Sequence, residues 1–241
     1  MPTGKKIALI TGANKGIGLE TARELGKAGW TVLLGARNSD LGRAAESKLR
    51  AEKADAHFVP LDVTEPQTIS AAAAKIKAQF GWLDALVNNA GIVDQQDGRA
   101  SVASVAAIER VMRTNFFGVV TVTQAMLPLL RKSKAARIIN VSSGLGSIAR
   151  NANPPWDLQW SLLGYCSSKA AMSMFTVQLA LELKQDRIAV NAVNPGYTAT
   201  DINQNRGHQT VQEGSAEIVR LSLLEDGPTG GFFETAGPIP W

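Results

Sequence analysis

The stretch Ile7-Ala8-Leu9-Ile10-Thr11-Gly12-Ala13-Asn14-Lys15-Gly16-Ile17-Gly18 decides the fold. Its four leading apolar residues read as a short buried strand, the glycines as a turn, and the pattern from Leu19 to Ala28 as a helix. A strand, a glycine turn and a helix in that order make a phosphate cradle, because the free N–H groups at the helix start face the turn. Gly12 allows the tight turn, Gly16 lets backbone amides approach a pyrophosphate, and Gly18 lets the helix pack closely on the strand. Asn14, Lys15 and Ile17 complete the turn. The spacing is G-x-x-x-G-x-G and not the commoner G-x-G-x-x-G, so a plain βα turn competes until the next strand is read.

That strand is Thr31-Val32-Leu33-Leu34-Gly35, and it ends Gly35-Ala36-Arg37. An acidic residue is expected here when ribose hydroxyls are to be bound. None is present. Arg37 and Lys15 together suit a 2′-phosphate, which points to NADP(H), although either cation alone could be surface charge.

The alternation continues. Ser39 or Asp40 is expected to cap a helix through Lys53. A third strand, His57–Leu61, leads to Asp62 and Val63, and Pro66 opens a helix. Trp82–Val87 reads as a fourth strand ending in Asn88-Asn89-Ala90-Gly91, which is either a turn with Asx bonds or a place where backbone meets a ligand. One long helix is expected from Ala103 to Arg131, with Asn115 inside it and Pro128 bending its end. Arg137–Val141 is a fifth strand with Ser142-Ser143-Gly144 at its carboxyl end, where ligand sites of α/β sheets collect. Arg187–Val193 is a sixth and runs into Asn194-Pro195-Gly196-Tyr197-Thr198-Ala199-Thr200. Asn203–Gly214 is polar and expected to be mobile; a helix from Ser215 and a strand at Gly230–Glu234 follow. The expectation is a single α/β domain over residues 1–241, doubly wound, with a mostly parallel, seven-stranded sheet.

Between the fifth and sixth strands, Tyr165-Cys166-Ser167-Ser168-Lys169 opens a helix reaching Leu183. Residues four apart share a helix face, so phenol and ammonium point the same way. A nearby ammonium favours the phenolate and so lowers the phenol's pKa. A Tyr ring merely covered by a Lys stem gives the same spacing.

The 241 residues carry a net charge of +4 without a basic stripe or interleaved aromatics, so nucleic acid is not an expected partner. The single cysteine, Cys166, rules out an internal disulfide and fits a reducing compartment. No secretory signal is read in Lys5-Lys6-Ile7, and no apolar run reaches membrane-spanning length. A cytoplasmic protein without metal ligands is expected.

Taken together, Thr11–Gly18, Asn88-Asn-Ala-Gly91, Asn115, Ser143, Tyr165-x-x-x-Lys169 and Asn194-Pro-Gly196 resemble, in order, the short-chain dehydrogenase/reductase family over essentially the whole chain. Thr114-Asn-Phe-Phe-Gly118 and Gly227-Pro-Thr-Gly230 look like its NADPH-dependent carbonyl reductases. The resemblance implies a Rossmann-type oxidoreductase. Tyr165 would be the general acid and base, and Lys169 would hold the nicotinamide ribose and favour the tyrosinate. Ser143, in preference to Ser142, would polarise the substrate carbonyl, and Asn115 would hold a water in a proton relay. Asp62 and Val63 would flank the adenine, and Asn89, Ala90 and Gly91 the adenosine side. Pro195, Gly196, Thr198 and Thr200 would take the carboxamide end. Val93, Trp156, Trp160 and Tyr197 are the substrate candidates, suggesting an apolar or aromatic carbonyl or alcohol. A catalytically inactive dinucleotide sensor or scaffold on the same fold is the alternative. The Gly144–Gly164 connection is shorter than the carbonyl-reductase insertion yet longer than the minimal one. Folded over the Tyr165 helix it would cover a pairing surface, so a monomer is expected before a dimer or tetramer.

Overall fold

Strands alternate with helices along the chain in a computed structural model that describes residues 4–153 and 161–241. Trp156 and Trp160 lie outside the described residues, as does the part of the connection on which the monomer expectation rests. The strands are β1 (Ile7–Thr11), β2 (Thr31–Ala36), β3 (Asp55–Pro60), β4 (Ala85–Asn88), β5 (Arg137–Val141), β6 (Ala189–Val193), β7 (Phe232–Glu234) and β8 (Gly237–Pro238). They form one sheet in the order β3-β2-β1-β4-β5-β6-β7-β8. All pairings are parallel except β7 with β8. The antiparallel β8, two residues long, is the strand that apolar patterning does not reveal.

Every residue of β1, β2, β4, β5 and β6 is buried. That is why these strands read as unbroken apolar runs: a parallel sheet is covered on both faces. Helices α1 (Gly16–Lys27) and α2 (Ser39–Ala51) cover one face with α8 (Val211–Leu223) through Leu25, Leu49 and Ile218. On the other face α3 (Pro66–Gln79), α5 (Gly118–Leu130) and α7 (Leu163–Glu182) bring Ile76, Met126 and Leu179 against Leu9 and Leu86. Leu9 is fully buried at the sheet's centre. Cutting it to Ala is expected to cost about 2–5 kcal/mol, a transfer loss plus a cavity.

Four polar side chains cross this second face. Asn88 of β4 donates through Nδ2 to Thr123 Oγ1 of α5 at 3.0 Å and to Asn140 Oδ1 of β5 at 2.9 Å. Asn140 Nδ2 donates in turn to Thr176 Oγ1 of α7 at 2.9 Å. All four residues are buried to within about 1 % of their surface.

Several local expectations are corrected. The helix expected from Ala103 to Arg131 is two helices, α4 (Val105–Met112) and α5, joined by a wider π turn over Arg113–Phe117 that contains Asn115. Asn38, not Ser39 or Asp40, caps α2, its side chain accepting from Leu41 N at 2.9 Å. β4 begins at Ala85, and β6 at Ala189, beyond a left-handed Arg187 with φ of 56°. The polar segment expected to be mobile is largely exposed and is anchored at its two glycines. Thr198 is 3 % exposed, Gly207 and Gly214 lie directly against it, and Thr210 with Glu213 forms a capping box that starts α8 at Val211.

Candidate active site

The strand order reverses between β1 and β4, and loops from the carboxyl ends of β1, β4, β5 and β6 meet there. Gly12 and Gly16 have φ of 65° and 57°, the left-handed region glycine enters without strain. A Cβ on Gly12 would stand 3.1 Å from Ala90 Cα, and one on Gly18 only 2.5 Å from Asn89 Nδ2. The turn therefore closes directly on Asn89-Ala90. Thr11 fixes the contact: its Oγ1 accepts from Asn89 N at 2.9 Å and Ala90 N at 3.0 Å, while Asn89 Nδ2 donates to Thr11 O at 2.8 Å. Asn14 and Ile17 are half-buried in the turn.

Lys15 and Arg37 are exposed at the ends of the neighbouring strands β1 and β2. Lys15 pairs with Asp201, at the start of a short 3-10 turn (Asp201–Asn203) beyond β6. Asp62 turns inward on its own loop, Oδ1 accepting from Thr64 N at 2.9 Å and from Thr64 Oγ1 at 2.7 Å. Val63 packs on Gly118, whose hypothetical Cβ would lie 2.8 Å from Val63 O.

Tyr165 and Lys169 occupy the first turns of α7. The Lys169 ammonium sits 5.6 Å from the Tyr165 ring centroid and donates to Val141 O at 2.7 Å, at the end of β5. Ser143 lies close enough to the Tyr165 phenol to favour its ionised form. Ser142 faces the other way and donates to Lys169 O at 3.4 Å, so the alternation of an extended strand end selects Ser143. A Cβ on Gly91 would lie 3.4 Å from Asn115 Oδ1 and 3.6 Å from Lys169 Nζ, which places these residues together. The Asn115 amide is committed to the framework. Oδ1 accepts from Ile92 N at 2.9 Å, and Nδ2 donates to Ile92 O at 2.9 Å and Ser168 Oγ at 3.1 Å.

Burial dominates the charges here. It pushes the Tyr165 phenol up to about 12; Ser143 pulls the other way, and the nearby Cys166 adds to the rise. Burial alone brings the Lys169 ammonium down to about 8. The expected lowering of the phenol by the ammonium is thus reversed, since a dry pocket penalises phenolate and ammonium alike.

Beyond β6, Gly196 takes φ of 75° and Thr198 Oγ1 donates to Pro195 O at 3.1 Å. Thr200 faces the glycine turn, its Cγ2 3.5 Å from a Cβ built on Gly16. Tyr197 lies farther along with its ring 5.8 Å from His208, and Val93 is half-buried just past Ile92. Two groups carry no signal in the sequence pattern. Asp97 binds the start of α7, and Arg150 forms a two-bond pair with Glu234 at 2.9 and 3.0 Å, Glu234 also accepting from Asn194 Nδ2 at 2.7 Å. Their partners are 40 to 84 residues away in the chain, beyond the reach of local patterning.

Known proteins share the fold and much of the sequence pattern. Residues 6–211 match the family model described as short chain dehydrogenase. A short-chain dehydrogenase of Penicillium roqueforti is 36% identical over 226 residues, covering 90% of this chain and 88% of its own. Carbonyl reductase [NADPH] 3 of Rattus norvegicus is 33% identical, with 93% of each chain covered. That alignment spans 262 positions against 241 residues here, so the rat protein carries segments without a counterpart in this chain. The crystal structure of NADPH-bound carbonyl reductase from chicken fatty liver superposes with a TM-score of 0.87 at 30% identity, over 98% of this chain and 99% of that one. The matched range takes in the glycine turn, the Asn88–Gly91 segment and the Tyr165 helix, and on that ground the chain belongs to the short-chain dehydrogenase family of oxidoreductases.

Proposed function

We propose that the protein is an NADP(H)-dependent reductase of carbonyl compounds, working in reverse on secondary alcohols, with Tyr165 as proton donor and acceptor. One observation carries the reading: Ser143, the Tyr165 phenol and the Lys169 ammonium converge with Gly91 and Asn115 at the carboxyl ends of the strands. A glycine turn with Gly12 and Gly16 in left-handed backbone, running straight into the N-terminus of α1 at Gly16, supports a phosphate site for a dinucleotide. Lys15 and Arg37 supply positive charge where a 2′-phosphate would lie. The similarity to the rat carbonyl reductase [NADPH] 3 and to the NADPH-bound chicken enzyme points the same way.

NADPH, when bound, supplies the hydride for the carbonyl carbon. Ser143 donates a hydrogen bond to the carbonyl oxygen and so polarises it. At pH 7, below the values near 12 and 8, Tyr165 keeps its proton and most of Lys169 its charge. Tyr165 then protonates the nascent alkoxide, and Lys169 stabilises the phenolate left behind. Such proton transfer is typically worth about 10²–10⁴ in rate. Lys169 also offers N–H groups to the ribose hydroxyls. Asn115 braces this corner by tying Ile92 to Ser168.

The test is NADPH oxidation, followed by its absorbance, with a panel of aliphatic and aromatic aldehydes and ketones. Turnover that vanishes in Tyr165→Phe supports the reading. Tight NADPH binding without turnover of any carbonyl would favour the sensor.

A further inference from the structure

Helix α7 starts without a cap of its own. Leu162 holds the position where Ser, Thr, Asp or Asn usually accepts from the first free amides, and it contributes no such bond. The acceptor comes from the loop after β4. Asp97 Oδ1 accepts from Gly164 N at 2.9 Å and from Gly98 N at 2.8 Å, and Asp97 Oδ2 accepts from Tyr165 N at 2.8 Å. Leu163 N donates to Gly98 O at 2.8 Å. Three successive amides, ending at Tyr165 itself, are therefore held by two adjacent residues of a distant loop.

The fit is close and braced. A Cβ on Gly164 would stand 3.1 Å from Asp97 Oδ2 and 3.1 Å from Ile108 Cα, so the carboxylate reaches the helix only because that position has no side chain. Asp97 N donates to Asp94 O at 3.1 Å, and Asp94 is gripped by Arg110 of α4 at 2.7 and 3.2 Å. A carboxylate is also the favoured charge at a helix N-terminus. The bonds are those of an ordinary cap to the second and third helical amides, but they come from a distant loop, and one oxygen is committed to the amide of Tyr165 itself.

We propose that Asp97 is a positioning residue for proton transfer, its carboxylate fixing the first turn of α7 so that the Tyr165 phenol stays seated against Ser143. The inference rests on the reading of Tyr165 as proton donor. Three variants test it. Asp97→Ala removes all three bonds. Asp97→Asn keeps an acceptor for Gly98 and Gly164 but turns an NH₂ toward the Tyr165 amide. Gly164→Ala pushes the carboxylate away while leaving its chemistry in place.

In Asp97→Ala, kcat should fall roughly ten- to a hundredfold, the scale of an ångström's misplacement of a reacting group. KM for NADPH should stay within about threefold, since the phosphate contacts proposed for the glycine turn, Lys15 and Arg37 are elsewhere and Lys169 sits one turn beyond the amides that Asp97 holds. Asn should lie between wild type and Ala, and Gly164→Ala should resemble Ala. A second readout needs no turnover. The chain has two tyrosines, so in a Tyr197→Phe background the phenol absorbance titrates Tyr165 alone. Loss of Asp97 should move that titration down from about 12 toward the ordinary value as water reaches the loosened turn. An unchanged titration with unchanged kcat overturns the proposal. Equal losses of kcat and NADPH affinity also overturn it, marking Asp97 as a general stabiliser. If the wild type reduces no carbonyl, the reading of the reaction fails, and the titration alone decides whether Asp97 seats the phenol.

Discussion

Lys169 is 4 % exposed, and removing its charge should make the empty protein sturdier near neutral pH. Its pKa falls from 10.5 to about 8 on folding, through burial. A depressed ammonium contributes stability above its unfolded value, and that contribution is lost as pH falls through the folded value. Between about pH 10.5 and 8 the wild type should therefore lose up to about 1.4 kcal/mol per pH unit, about 3 kcal/mol in all. Lys169→Met keeps the stem and drops the charge. It also deprives Val141 O of its donor, at a cost of about 1–3 kcal/mol that does not vary with pH. The stability difference between variant and wild type should thus swing by about 3 kcal/mol in the variant's favour as pH falls from about 10.5 to about 7. Urea unfolding at a series of pH values, followed by tryptophan fluorescence at fixed m-value, measures the swing. Parallel curves for the two proteins would refute the reasoning and mean that water reaches Lys169.

Tyr165→Phe should abolish turnover while NADPH binding, read by quenching of tryptophan fluorescence, stays within about threefold, because the phenol acts in the transition state; a near-normal kcat would identify another proton donor. Arg37→Asp should erode the NADPH over NADH preference by at least about tenfold in kcat/KM, on the scale of losing one charged hydrogen bond to phosphate; identical ratios before and after would remove Arg37 from the site. Asp201→Asn should tighten NADPH by no more than about fivefold, since the Lys15–Asp201 pair is more than half exposed on both sides and exposed pairs are worth about 0–1 kcal/mol; weakened binding would show that Asp201 orders the cleft instead of competing for Lys15. Gly18→Ala should destabilise the fold by about 1–3 kcal/mol, its Cβ meeting Asn89 Nδ2 and Gly12 O; an unchanged urea midpoint would mean the turn yields.

Most of the frame is legible because parallel strands buried on both faces leave apolar runs, and because left-handed turns leave glycine. Gly12 and Gly16 do have positive φ, and Tyr165 and Lys169 do share a face. What escapes reading has one common cause: a partner remote in sequence. Nothing near Asn115 announces a π turn, which the amide's grip on Ile92 and Ser168 accompanies. Nothing near Thr198 tells that Gly207 and Gly214 will close upon it, so a polar stretch looks mobile. The neighbouring ammonium alone misleads about the phenol's pKa, because the burial that dominates it depends on elements the spacing cannot place.

The crossbar of Asn88, Asn140, Thr123 and Thr176 bears on how this protein can age through substitution. Apolar contacts tell a helix that it must lie on the sheet, yet they discriminate poorly between one axial position and the next, because Leu, Ile and Val interchange at modest cost. Hydrogen bonds under a dry layer do discriminate. A shift of α7 by one turn would break the bond between Thr176 and Asn140 and leave the buried Asn140 Nδ2 without its acceptor, at a cost of about 1–3 kcal/mol. Eleven residues upstream of Thr176 on the same helix sits Tyr165. The greasy layer around the crossbar is thus free to drift over many generations, while the height of the phenol above the sheet is held by a threonine and an asparagine that never touch a substrate.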